Sequence, residues 1–199
     1  MITPNEVSRN VYGVWQLFLD RPDAERYFDT DYAGFWRSFQ AILLVAPLYV
    51  VVFAAAHRTR SLDDAEFTIA GGDYFWLKAA TVGLDWVALP VVLALSARFL
   101  AVTRTYAAFV VARNWAAVPL VAMLAAISAV ELALPVLTEL LGWIQLVTII
   151  VAIRLMYLMA RRILDVDISL AVAVVVFDFL LSIMIVVAIN LAVGLPALT

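Results

Sequence analysis

Residues 168 to 193 read ISLAVAVVVFDFLLSIMIVVAINLAV, and Asp178 is the sole ionisable side chain in that run. A bilayer's hydrocarbon core is about 30 Å thick, and a helix crosses it in about 20 predominantly apolar residues. The stretch therefore reads as a transmembrane helix. Working back along the chain, four more apolar stretches of spanning length fall at about 38–56, 77–98, 115–137 and 143–161. The expected fold is all-α: a polytopic membrane bundle of five transmembrane helices, preceded by an amphipathic interfacial helix. Hydrophobic residues make up 66% of the 199-residue chain and charged residues 15%, against roughly 45–50% and about 25% in soluble domains. A water-soluble fold is excluded. The expected organisation is a cytoplasmic amphipathic segment over 1–37 and a five-helix domain over 38–199, with no room for a second folded domain.

Basic residues set the expected orientation. Arg9, Arg21, Arg26 and Arg37 precede the first span, Arg98, Arg104 and Arg113 lie between the second and third, and Arg161 and Arg162 follow the fourth. By the positive-inside rule these segments are cytoplasmic, which puts the C-terminus in the periplasm of a bacterial inner membrane. Residues 57–76, with Asp63, Asp64, Glu66 and Asp73, then form an acidic loop on the far side. The first 34 residues carry Asp20, Asp23, Glu25, Asp29 and Asp31, so the first span is expected to act as an uncleaved insertion signal.

Thr3-Pro4-Asn5-Glu6 has the form of a capping box with proline at the first helical position. Val7, Val11, Val14, Trp15 and Phe18 follow at helical spacing, with Ser8, Arg9, Gln16 and Asp20 on other faces. That helix, ended by Pro22, is expected to lie in the interface with Trp15 and Phe18 toward the acyl chains, or to pack on the bundle's own cytoplasmic loops. Phe35 and Trp36, with Phe39, sit at headgroup depth before the first span. Pro47, Pro90 and Pro119 fall one to each of the first three spans and invite kinks. Alanines 122, 125, 126, 129 and 133 give the third span a small-residue pattern that lets a neighbouring helix approach, which places it at the bundle centre.

The ionisable groups inside the spans are Asp85, Glu131, Arg154 and Asp178. Each costs about 2.5–3.5 kcal/mol on insertion scales, so such groups are generally paired or functional. Arg154 and Asp178 lie equally far from Val166, and a tight antiparallel hairpin would bring both to one depth, about 18 Å from the turn. A salt bridge fixing helix register is the favoured reading, a substrate or proton site the alternative. Tyr157 and Arg161 share Arg154's face and extend a polar stripe toward the cytoplasm. Asp85 and Glu131 both fall in the far half; two carboxylates there would not both stay ionised, and one could carry a proton. The plainer reading gives Glu131 to headgroups and Asp85 to Lys78, Trp86 or Thr81. Asn190, Ser182 and Asn114 are ordinary interhelical hydrogen-bonding residues. His57 stands alone at a span end.

Cys is absent, which removes thiolate, disulfide and iron–sulfur chemistry. No phosphate-binding loop, dinucleotide fingerprint, zinc-protease helix or nucleophile elbow is present. The expectation is therefore no catalytic residues, no metal, no cofactor and no nucleic-acid partner. An intramembrane aspartyl dyad would need Asp85 and Asp178 at one depth, and their estimated depths differ.

Tyr106 to Pro119, YAAFVVARNWAAVP, looks like a basic loop entering a span with a proline just inside it. With five spans and an N-terminal cytoplasmic region, the layout resembles the Yip (Ypt-interacting protein) family of small membrane proteins. The aspartate-leucine-tyrosine-glycine-proline motif of its eukaryotic members has no counterpart before the first span, so no small-GTPase partnership carries over. The resemblance implies a scaffold or membrane-organising role. The residues lead to the same expectation: a non-enzymatic membrane protein that works through lipid, other membrane proteins or self-association, with a small oligomeric transporter or proton pathway as the alternative.

Overall fold

In a computed structural model the chain is described over residues 2–63 and 69–193 and contains helices and turns but no strand among them. The helices are α1 (Pro4–Phe18), α2 (Tyr32–Ser38), α3 (Ile42–Asp63), α4 (Gly71–Ser96), α5 (Tyr106–Ala133), α6 (Thr138–Arg162) and α7 (Ile168–Ala192). Five are long and apolar enough to cross a membrane, the first continuous from Tyr32 to Leu62 through a single 3-10 turn. The protein is thus an all-α bundle with the composition of an integral membrane protein. Asp64 and Glu66 of the expected acidic loop lie outside the described residues, as does the tail after Val193.

The local signals act as their chemistry requires. The Thr3 hydroxyl accepts from the Glu6 amide at 3.2 Å and Pro4 occupies the first turn. Glu6 does not complete the box: its carboxylate takes Arg37 Nε at 3.0 Å. Helix α1 ends four residues before Pro22, because Asp20 turns left-handed (φ 55°) and the Arg21 amide folds back on Gln16. Asp31 caps α2 and Asp167 caps α7, each through the amide three residues on.

Helix α5 is the axis of the bundle. It pairs most extensively with α3, then with α6, and also touches α1, α2 and α4. Its burial is concentrated in the first half, where Phe109, Val110, Val111, Ala112, Trp115 and Ala116 are nearly or fully enclosed. This differs from the expectation that the alanine pattern makes α5 central: Ala125 is buried, but Ala122, Ala126, Ala129 and Ala133 lie on the outer surface. Helices α6 and α7 are peripheral, with few buried residues in their most apolar stretches.

Helix α1 folds back on α5 and α6 and shares the main core through Val14 and Leu17. Trp15 keeps 54% of its surface exposed and stacks on half-buried Phe18. The helix thus uses one face on protein and leaves another bare. Phe35 packs on Phe39 and Tyr106 while Trp36 is 54% exposed. Gly13 and Gly34 are where two chain segments meet: a Cβ at Gly13 would stand 2.7 Å from Tyr27 Cβ, and one at Gly34 would run into the Asp29 carbonyl oxygen.

Candidate functional site

Asp85 is near the midpoint of α4 and Asp178 near that of α7, each about 15 Å from the end of the bundle that carries α1. Arg113 begins the third turn of α5, and its long side chain reaches between them. The guanidinium lies 3.4 Å from Asp178 Oδ1 and 3.7 Å from Asp85 Oδ2. It also reaches the carbonyl oxygens of Trp86 at 3.4 Å and Asp85 at 3.5 Å. The Ser182 hydroxyl, one turn along α7 from Asp178, donates to Asp85 Oδ1. One cation thus ties three helices together at mid-depth.

The cluster is at the bundle's edge. Side-chain exposure is 14% for Arg113, 25% for Asp178 and 36% for Asp85. Around it the surface is apolar, with Leu84, Val87 and Val91 of α4 and Phe177, Phe179 and Leu180 of α7 exposed. On the α1 side of it lies an apolar groove of about 270 Å³ between α4 and α7, lined by Leu89, Val92, Val174 and Phe177 among others. Trp86, Trp115 and Ala116, close to Asp85 and Arg113 in the chain, are buried. Two carboxylates face one guanidinium, so the fully ionised cluster carries a net negative charge in an apolar setting.

The structure overturns several expectations. Arg154 does not pair with Asp178: it is exposed, donates to the Phe18 carbonyl oxygen at 3.3 Å and stands 5.5 Å over the Phe18 ring. Residue counting gave the pair's depth but not its azimuth. Asp178 shares a face with Val174 and Ser182 and turns toward α4, whereas Arg154 turns toward α1. Asp85 does not share a site with Glu131, nor does it bond Lys78, Trp86 or Thr81 by its carboxylate. Lys78 sits over the Tyr74 ring, and Thr81 donates to the Leu77 carbonyl. Asp85 and Asp178 do lie at one depth, contrary to the sequence estimate. An arginine between them nonetheless speaks against an aspartyl dyad, which needs two carboxyls sharing a proton. Arg113 is the residue that sequence reasoning placed outside the membrane. The segment YAAFVVARNWAAVP is helical from Tyr106 rather than a loop.

Glu131, at the far end of α5, accepts from the Thr59 hydroxyl of α3 at 2.9 Å, and Arg58 donates to the Leu132 carbonyl at 2.8 Å. Tyr157 and Arg161 line a polar cavity of about 450 Å³ with Asp20, Arg162 and Asp165 at the α1 end. Arg161 also donates to the Val166 carbonyl, closing the turn into α7. Arg162 Nε is 2.8 Å from Asp20, and this contact holds the Asp20 carboxyl below the usual carboxylate range. Asn190 is buried, at 2% exposure. Asn114 donates to Ser38 at 2.9 Å between two buried side chains, joining α5 to α2. His57 meets the Ile69 carbonyl at 3.0 Å and the Tyr74 ring edge. No cluster of potential metal ligands occurs among the described residues. No known protein family matches the chain, and neither does any curated protein or solved structure.

Proposed function

We propose that this chain is a non-enzymatic membrane-organising or accessory protein whose work is lateral association with another transmembrane helix. In this reading it resides in a bacterial inner membrane with the α1 end in the cytoplasm, where most of its basic residues would lie. One observation carries it: Arg113, Asp85 and Asp178 meet at a partly exposed edge of the bundle, where the neighbouring residues of α4 and α7 are apolar and exposed. Charged groups left facing lipid are costly, and a polar or basic side chain on a neighbouring helix relieves that cost. The chain contains no cysteine, so single cysteines report contacts cleanly. Leu84→Cys beside the cluster is expected to crosslink to a second helix in native membranes, and Trp143→Cys on α6 is not. Equal labelling at both positions, or none at Leu84→Cys, contradicts the reading.

A proton pathway has one feature in its favour, the excess carboxylate at mid-depth. It predicts proton flux in liposomes that Asp178→Asn abolishes; unchanged flux in that variant rejects it.

A further inference from the structure

At the opposite end of the bundle from α1, an open cavity of about 340 Å³ is lined by α3, α4, α5 and α6. Its polar lining comes from Thr59, Arg60, Tyr74, Ser128, Glu131 and Gln145, and its floor from Val52, Ala55, Ala56 and Leu124. It shares no residue with the α4–α7 cluster, so an occupant of this cavity is independent of the lateral association proposed above.

The polar groups are arranged for a ligand with several donors. Glu131 Oε1 is occupied by the Thr59 hydroxyl. Among the described residues nothing bonds the second Glu131 oxygen, the Ser128 hydroxyl or the Gln145 amide, although Ser128 is 3% exposed and its side chain lines the cavity. These groups are accessible from the cavity and so are available to an occupant. Three oxygen acceptors of this kind suit a primary ammonium, which offers three N–H donors and accepts none. Arg60, which already has an interaction of its own, adds a positive charge to the same wall. The α3 side of the cavity runs from Thr59 to Val52, about 10 Å deeper. Its mouth is polar and its floor apolar, and it begins at the helix ends where a bilayer's headgroups lie. That gradient fits an amphiphile.

We propose that this cavity binds the headgroup of an ethanolamine phospholipid, with the ammonium on Glu131, Ser128 and Gln145 and the phosphate toward Arg60. The intact protein is placed in nanodiscs of equal parts phosphatidylcholine, phosphatidylethanolamine and phosphatidylglycerol, and its retained lipid is read by native mass spectrometry. Phosphatidylethanolamine is expected to be enriched about tenfold over phosphatidylcholine, a difference of about 1.4 kcal/mol. Glu131→Gln brings that ratio near unity, and Trp143→Ala leaves it unchanged. The wild-type protein alone also suffices: successive N-methylation of the headgroup is expected to lower retention stepwise as donors are lost. No headgroup preference in the wild type, retention indifferent to N-methylation, or a folded Glu131→Gln variant that keeps the full preference overturns the proposal. So does displacement of the lipid by free phosphoethanolamine at equal concentration, which assigns the cavity to a soluble zwitterion.

Discussion

Removing the Arg113 guanidinium leaves Asp85 and Asp178 close together at mid-depth with no cation between α4, α5 and α7. Breaking a buried charge cluster by deleting one partner typically costs about 3–5 kcal/mol. Arg113→Met is therefore expected to lower stability in detergent, by less than that amount because the cluster is partly exposed, as measured by chemical unfolding. Arg154→Met removes an exposed carbonyl contact and a cation–π contact, and is expected to cost far less than Arg113→Met in the same assay. The opposite ranking would restore the pairing of Arg154 with Asp178. Sequence reading picked out Asp85 and Asp178 because a carboxylate in an apolar run stands out. It missed Arg113 because counting basic residues for topology assigns an arginine near a span boundary to the loop. The signal was present: FVVA before it and WAAVP after it leave no polar segment to hold a loop.

Helix α1 is tied to the end of α6 by contacts that spacing alone does not reveal. Arg154 holds the Phe18 carbonyl, Arg162 holds Asp20, and Val14 and Leu17 enter the core. The capping box and the amphipathic pattern made the helix legible, but the partner of its apolar face depends on where α5 and α6 stand. Because Arg162 holds the Asp20 carboxyl below the usual carboxylate range, this contact stabilises the docked helix above that range and is lost as pH falls through the lowered value. Amide exchange in α1, taken relative to its intrinsic rate at each pH, is expected to accelerate below about pH 4, and Asp20→Asn to show the faster relative rate already at neutral pH. The Arg162–Asp20 pair is exposed, so the acceleration is expected to be modest and to shrink further in high salt. At the next turn of chain, Gly34→Ala drives a Cβ into the Asp29 backbone and is expected to lower the thermal midpoint.

Across the bundle, the five spans were legible because each needs only length and apolarity, and α7 in the structure matches its expected limits to one residue. What one sequence does not contain is the rotation of each helix about its own axis. That rotation sends Ala122, Ala126, Ala129 and Ala133 of α5 outward and brings Asp85 and Asp178 to the same arginine. It also turns the cluster to the α4–α7 surface, the basis of the proposed association. Replacing a complete ionic cluster by apolar residues of similar volume is often neutral or stabilising for a fold, unlike breaking it. The triple variant Asp85→Leu, Arg113→Met, Asp178→Leu therefore separates folding from association. The deciding experiment is the assembly state of this variant and the wild type in native nanodiscs, read beside their thermal midpoints. Association through the cluster predicts a folded variant with an unchanged or higher midpoint that has lost its transmembrane partner; a folded variant that keeps its partner would contradict it.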